Sequence, residues 1–345
     1  MDRCEKLLKE IGHAVLITSD ENCYYYSGFT GGDSFLLIAD GYRGLFTDGR
    51  YTVQAKEEAP DFEVFDRDVI NNLKKVVSDR KIEVVGFEEA NMTVATMARF
   101  TGIFKLVPVG GKINALRKIK DASEIEKIAA AQALSEAAFN HFLENAKAGM
   151  TETAAASLIE GYMRKNGARR PSFETIVASG VRGAMPHARA ENIKIVPGIP
   201  VVCDFGCVLD NYCSDMTRTV FFSYADDKCK EIYNIVKKAN LASLSVAKEG
   251  LTAGEVDKAA RDIIEKAGYG KEFCHSLGHG VGLMVHEAPY ARSKSDEILE
   301  SGMTLTIEPG IYVPDFCGVR IEDLVIIEEN GVRNLNKITK DILIL

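Results

Sequence analysis

Excess positive charge is missing from this 345-residue chain: 42 Lys and Arg stand against 50 Asp and Glu, a net of −8. That balance favours solubility and argues against a nucleic-acid or anionic-membrane binder as the default reading. No apolar run approaches the roughly 18 residues of a membrane span. No apolar signal region follows Met1-Asp2-Arg3-Cys4-Glu5-Lys6 either. The expected location is cytoplasmic, with neither a membrane nor a nucleic-acid partner. The eight cysteines, at 4, 23, 203, 207, 213, 229, 274 and 317, include no Cys-x-x-Cys pair. They read as reduced thiols, because a chain of this length buries enough surface to stand without a disulfide framework. A content of 46% hydrophobic and 27% charged residues excludes wholesale disorder and fibrous repeats. The length fits about two domains.

Residues 1–110 alternate short apolar runs with amphipathic stretches. Strands are expected at Ala14–Thr18, Phe35–Ala39, Gly44–Thr47, Phe62–Phe65, Val84–Phe87 and Ile103–Val107, with helices at Leu7–Ile11, Tyr51–Glu58, Val69–Ser78 and Thr93–Thr101. That alternation predicts an α/β domain with a mixed sheet. The turn-rich Pro108-Val109-Gly110-Gly111 is a candidate linker. Beyond it, Asp121 with Glu124 three residues on predicts a capping box. Ile128, Ala131, Leu134, Ala138 and Phe142 then mark one face of a long helix.

An internal repeat follows. Lys147-Ala148-Gly149-Met150-Thr151 leads a helix-like stretch to Gly167, and Lys248-Glu249-Gly250-Leu251-Thr252 leads another to Gly268, 101 residues later at both ends. Gly198–Gly206 and Gly302–Gly310 share a second pattern, with Asp204 and Glu308 two residues before the closing glycine. Asp215 and Glu322 follow 11 and 14 residues after these acids. His187 precedes the first block, and His279 and His286 precede the second.

Duplication alone explains the helices and glycines, but not carboxylates inside apolar strands. A buried carboxylate is costly unless it is paired or binds a cation. One such acid is more simply a salt bridge or a cap. Four, in two related hairpins beside histidines, point to a metal site. Four carboxylates and one imidazole suit Mn²⁺ or Co²⁺ and accept Zn²⁺ or Fe²⁺. Two ions about 3.5–4 Å apart can share a bridging water and lower its pKa toward neutrality.

The ordered motifs are Met185-Pro186-His187, Asp204-Phe205-Gly206, Tyr212-Cys213-Ser214-Asp215-Met216-Thr217-Arg218-Thr219, His275-Ser276-Leu277-Gly278-His279-Gly280-Val281-Gly282, Val285-His286-Glu287-Ala288-Pro289, Thr306-Ile307-Glu308-Pro309-Gly310-Ile311-Tyr312 and Gly318-Val319-Arg320-Ile321-Glu322-Asp323. Together they resemble the Xaa-Pro aminopeptidase and Xaa-Pro dipeptidase (prolidase) family of pita-bread metallopeptidases. Thr47-Asp48-Gly49-Arg50-Tyr51, with Gln54-Ala55, resembles that family's N-terminal domain.

The resemblance implies an α/β (α+β) fold: a creatinase-like N-terminal α/β domain over residues 1–112, then an internally duplicated pita-bread catalytic domain over 117–345. It places the metal ligands on Asp204, Asp215, His279, Glu308 and Glu322, holding two divalent ions, Mn²⁺ first, with Co²⁺ or Zn²⁺ as alternatives. It makes His187, His286 and Glu308 catalytic, the histidines as oxyanion donors and Glu308 as proton shuttle. It assigns His275, Tyr312 and Arg320 to the substrate side, with His275 and Tyr312 as proline contacts and Arg320 as a support for a ligand carboxylate. The implied activity is removal of the N-terminal residue from peptides with proline second, by a metal-bridging hydroxide, in a homodimer. An Xaa-Pro dipeptidase is the alternative, and the Asp48–Tyr51 motif reads closer to the aminopeptidase branch. A peptide-binding relative without catalysis and a creatinase-like amidinohydrolase are further alternatives, each disfavoured by the complete ligand set.

Blander readings hold elsewhere. His13 and His141 read as surface or helix positions, and Cys203, Cys207 and Cys213 as core. The Gly278–Gly282 run lacks the strand-then-helix setting of a phosphate loop.

Overall fold

A computed structural model of the chain describes residues 2–345. Two compact units emerge, Met1–Arg117 and Lys118–Leu345.

The first unit is built on a six-stranded mixed sheet. Its strands are β1 (Ala14–Ile17), β2 (Phe35–Ala39), β3 (Tyr42–Phe46), β4 (Glu63–Phe65), β5 (Val84–Phe87) and β6 (Lys105–Pro108), in the order β4-β3-β2-β1-β5-β6. β1 runs antiparallel to β2, with Val15 opposite Ile38, and parallel to β5, with Val15 opposite Gly86. β1 and β2 are buried on both faces, which accounts for their unbroken apolar sequences. Helices lie at Arg3–Ile11, Thr52–Glu58, Val69–Asp79 and Val94–Phe100, within a few residues of expectation.

Two features of this unit differ from the sequence reading. A helix at Asp20–Ser27 was not anticipated. Ser19 caps it by accepting from the Asn22 N–H, and Gly28 ends it at φ 81°. Its Asn22, Cys23, Tyr25 and Tyr26 are all buried, so no single apolar stripe marks it. Pro108–Gly111 is not a linker. Pro108 ends β6, and Gly110 opens a helix, Gly110–Ala115, with its N–H donating to Glu89 at 2.8 Å. That helix is tied to the unit by fully buried Ile113 and by the Tyr26 hydroxyl, which donates to the Ile113 carbonyl at 3.0 Å.

The second unit shows the duplication directly. Helices Ala122–Asn145 and Glu152–Lys165 form the first pair, and Asp227–Val246 and Ala253–Lys266 the second. The Asp121–Glu124 capping box is formed. Between the helices of each pair the chain turns through Gly149 or Gly250, at φ 81° and 84°. Only glycine adopts that conformation freely. Thr151 and Thr252 then cap the second helices.

Each helix pair covers its own sheet. Ile176–Ser179, Val201–Phe205, Met216–Phe221 and Leu343–Ile344 form the first, with Val201–Phe205 and Met216–Phe221 adjacent and antiparallel. Thr304–Ile307, Asp323–Glu328 and Gly331–Asn334 form the second. Phe139, Phe142, Ile159, Phe205 and Val220 fill the first core, and Ile232, Val236, Val256, Leu305 and Val325 the second. Each such side chain contributes roughly 1.5–3 kcal/mol on burial. Among the described residues no helix is long and apolar enough to cross a membrane.

Candidate metal centre

All four acids sit where a core strand begins or ends. Asp204 lies in Val201–Phe205, opposite Thr217, and Asp215 immediately precedes the partner strand. In the second half Ile307 pairs with Asp323, so Glu308 and Glu322 meet just past the end of that ladder. Glycine follows the acid in both halves for want of room. A Cβ at Gly206 would lie 1.9 Å from the Ser214 carbonyl oxygen, and one at Gly310 would lie 2.5 Å from the Tyr312 hydroxyl. Gly278 is equally confined, 1.8 Å from the Thr306 carbonyl oxygen, which lets the strand carrying His279 press against the one leading to Glu308. The run Gly278–Gly282 thus serves close backbone approach.

Carboxylate oxygens of Asp204, Asp215 and Glu322 lie within 4.8 Å of one another. His279 Nε2 is 3.2 Å from Glu308 Oε1 and 3.7 Å from Asp215 Oδ2, which joins the remaining two candidates to the cluster. The protein grips only part of this donor set. Glu322 Oε2 accepts from the Thr217 hydroxyl at 2.8 Å, Glu308 Oε1 from the Thr306 hydroxyl at 3.0 Å, and Asp204 Oδ2 from Arg320. Asp204 Oδ1 and Glu322 Oε1 are buried with no hydrogen-bond partner among the described residues.

The electrostatics follow from that arrangement. Burial, then the Glu322 and Asp204 charges, push the Asp215 carboxyl well above the usual range. Burial and the Glu308 and Asp204 charges do the same to Glu322. Asp204 is also raised by burial, against the pull of Arg320. Burial opposes ionisation of Glu308 too, but the His279 hydrogen bond and charge win and hold it low. Conversely, His279 is raised despite its burial. Its Nδ1 faces the Gly280 carbonyl at 3.2 Å, so Nδ1–H donates there and Nε2 is the nitrogen aimed at the acids. The facing Glu308 carboxylate favours a positive charge on that side of the ring. Orphaned oxygens, mutually repelling acids and an imidazole nitrogen facing them fit a divalent ion with oxygen-rich coordination.

A cavity of about 410 Å³ opens onto the cluster. His187, His275, His286 and Arg320 line it with the five candidate ligands. The His286 ring stands edge-on to His279, centroids 4.4 Å apart. Burial, reinforced by the His279 charge, lowers its pKa. Burial also lowers His275. Its Nδ1–H donates to the Ser276 carbonyl at 2.6 Å, leaving Nε2 to accept from the Tyr312 hydroxyl at 2.9 Å.

Tyr312 is buried and not among the residues that line the cavity, so the expected proline contact is not presented there. Its hydroxyl links His275 to Arg320, accepting from Arg320 Nη1 at 2.6 Å. Arg320 also donates to Thr217 at 3.1 Å and to the Pro186 carbonyl at 3.3 Å. With Asp204 and Tyr312 these contacts commit its guanidinium to the protein.

The sequence reading missed several residues here. Phe173 and Ile176 give the cavity an apolar side. Glu174 and Arg189 form an exposed ion pair at 3.1 Å on its lining. Fully buried Gln132 accepts from the Asp215 N–H at 3.2 Å. A polar residue at Ile128+4 on an apolar helix face was the available signal. His141 stacks on Tyr162, and His13 lies in the first unit. All eight cysteines are free thiols; Cys203, Cys207 and Cys213 are buried, and burial pushes Cys213 up to about 12.

The sequence model of metallopeptidase family M24 matches residues 126–329, and that of the creatinase/prolidase N-terminal domain matches residues 1–119. An Xaa-Pro dipeptidase of Pyrococcus furiosus is 37% identical, over 99% of each chain. The solved structure titled Xaa-Pro dipeptidase from Bacillus anthracis superposes with a TM-score of 0.96 at 39% identity, covering 99% of both chains. That of an X-Pro aminopeptidase from Thermotoga maritima gives 0.93 at 41%, covering 100% of both.

Proposed function

The chain belongs to metallopeptidase family M24, and from that premise we propose that it is an Xaa-Pro dipeptidase whose Asp204, Asp215, His279, Glu308 and Glu322 hold divalent cations. Its fold is the one the resemblance implied: a creatinase/prolidase N-terminal domain followed by a duplicated pita-bread domain. The expectation of an aminopeptidase for longer peptides gives way here. Relatives of Pyrococcus furiosus, Pyrococcus horikoshii and Lactobacillus helveticus, at 37–38% identity, carry the name Xaa-Pro dipeptidase. The aminopeptidase remains the second reading because of the Thermotoga maritima structure.

The observation that carries the metal reading is the pair of buried, partnerless oxygens on Asp204 and Glu322. A non-catalytic binder has no use for five converging donors, and neither does an amidinohydrolase that works without metals. Bound cations would polarise the scissile carbonyl and acidify a water. The chain's own residues do the rest. Glu308 would hold the proton of the attacking water and pass it to the leaving proline nitrogen. His286 and His187, on the cavity wall, would donate to the oxyanion. The Arg320–Tyr312–His275 chain fixes the His275 ring at the cavity surface. A proline imide has no N–H, so an apolar side such as Phe173 and Ile176 suits its ring. Two ions per chain, Mn²⁺ foremost, and a homodimer belong to the same reading.

The test is hydrolysis of Ala-Pro, Ala-Pro-Ala and Ala-Ala after chelation and after returning Mn²⁺, Co²⁺ or Zn²⁺. Metal-restored cleavage of Ala-Pro with little of the other two is expected. Preference for Ala-Pro-Ala would establish the aminopeptidase. Full activity in the chelated protein would overturn the metal site, and equal cleavage of Ala-Ala the proline specificity. Light scattering reads the assembly.

A further inference from the structure

Building on the metal reading above, we propose that Asn240 is a positioning residue for both glutamates of the site. Asn240 sits on the helix Asp227–Val246, fully buried and away from the cavity lining. Its Nδ2 donates to two carbonyls, Ile307 at 2.9 Å and Ile321 at 3.3 Å. These carbonyls belong to the peptide groups whose N–H is that of Glu308 and Glu322. The N–H ends are held as well: Glu308 donates to the Leu277 carbonyl at 2.9 Å and Glu322 to the Thr217 carbonyl at 3.1 Å. A peptide group is planar and rigid. Holding its carbonyl and its N–H fixes the Cα–Cβ bond from which the following side chain grows. Each glutamate thus hangs from a plane gripped at both ends, and one amide grips both planes.

The arrangement carries a cost. Asn240 Oδ1 is buried without a hydrogen-bond partner among the described residues. Leucine has the same branched skeleton, though more bulk, and would bring no orphan oxygen, so a core with no use for the amide donors would carry an apolar residue here. What asparagine supplies is its two N–H donors, and both are directed at the glutamate-bearing strands. The first half shows the same device with another residue. Gln132 lies on the helix Ala122–Asn145, fully buried, and holds the backbone N–H of Asp215. The long helix of each half therefore reaches the ligand-bearing backbone with one buried amide. Their attachment points differ, a carbonyl pair in one half and an N–H in the other.

The experiment measures Mn²⁺ affinity of the full chain by competition with a fluorescent chelator, together with melting temperatures of the chelated and Mn²⁺-loaded protein. Variants are Asn240→Leu, Asn240→Asp and the milder Asn240→Ser, which keeps one donor. Ser243→Ala is the control, because Ser243 is buried on the same helix but donates to the Val256 carbonyl of the helix Ala253–Lys266 and not to a glutamate-bearing segment. Groups that orient metal ligands typically change affinity about 10–100-fold when lost. Asn240→Leu and Asn240→Asp are expected to weaken Mn²⁺ binding by that factor and to shrink the Mn²⁺-induced rise in melting temperature. Asn240→Ser should lose severalfold. Ser243→Ala should lower both melting temperatures alike and leave affinity within about twofold. Wild-type affinity in any folded Asn240 variant, or a loss no larger than the control's, overturns the proposal. Failure of all three to fold would assign Asn240 to the core and overturn it too. A wild-type chain that binds no Mn²⁺, Co²⁺ or Zn²⁺ would refute the metal reading itself.

Discussion

Replacing Asp215 with asparagine should stabilise the metal-free protein while ending its response to metal. The substitution deletes one negative charge with almost no change of shape. Asp215 shares the cluster with Asp204 and Glu322, carboxylate oxygens all within 4.8 Å. At an effective dielectric of about 20, two unit charges about 4.8 Å apart repel by roughly 3.5 kcal/mol. The metal-free wild type escapes part of this by protonation, since Asp215 and Glu322 sit well above their ordinary pKa. The expected gain for Asp215→Asn is therefore smaller, about 1–3 kcal/mol, or roughly 2–10 °C in melting temperature for a unit of this size.

The sign with pH is fixed by the direction of the shift. A carboxyl whose folded pKa is raised makes the native state bind more protons than the unfolded one. Stability then falls as pH rises from the ordinary carboxylate range through the raised pKa. The two chelated proteins should converge at about pH 4 and separate toward about pH 8. With Mn²⁺ the order reverses, because only the wild type keeps the full donor set. Calorimetry of both proteins, chelated and loaded, at both pH values gives the comparison. A chelated variant no more stable than wild type at the higher pH would show that these acids do not repel one another, and the reasoning from their crowding would fail.

Arg320→Met should cost about 3–5 kcal/mol by urea denaturation, because it strands buried Asp204 and unties Tyr312. Arg320→Lys should recover only part of that, since an ammonium cannot reproduce the guanidinium fork. His187→Ala and His286→Ala should leave bound metal at the wild-type level while lowering kcat by roughly 10²–10³. Metal falling in step with activity would make these histidines ligands.

Patterns with a strong period were legible before the fold was known. The Asp121 capping box, the apolar face from Ile128 to Phe142 and the 101-residue repeat all appear as geometry. So did the acids, because a charge inside Val201–Phe205 or after Thr304–Ile307 contradicts its surroundings. Residues whose role depends on direction were harder to read. Tyr312 stands in the right motif, but its hydroxyl turns inward to Arg320 and His275. Gln132 and Asn240 are polar residues at core spacing, and a one-dimensional pattern cannot tell a buried amide with backbone partners from an interruption. Gly110-Gly111 looked like a break because glycine opens loops and helices alike. The Glu89 carboxylate waiting for the Gly110 N–H, with Ile113 buried and tied to Tyr26, distinguishes the two. The helix Asp20–Ser27 escaped because burial on several sides leaves it no stripe.

Asp204 and Asp215 come from one half of the duplicated unit, and His279, Glu308 and Glu322 from the other. Neither half alone assembles the donor set, so an ion held there acts as a rivet through both. Whatever binds only the joined state stabilises it by mass action, about 2.7 kcal/mol at a hundredfold excess over Kd. The working lifetime of the molecule would then track the free metal around it. Starved of metal, the chain would lose its rivet along with its chemistry, and the seam between the halves would be the first place to open to a protease.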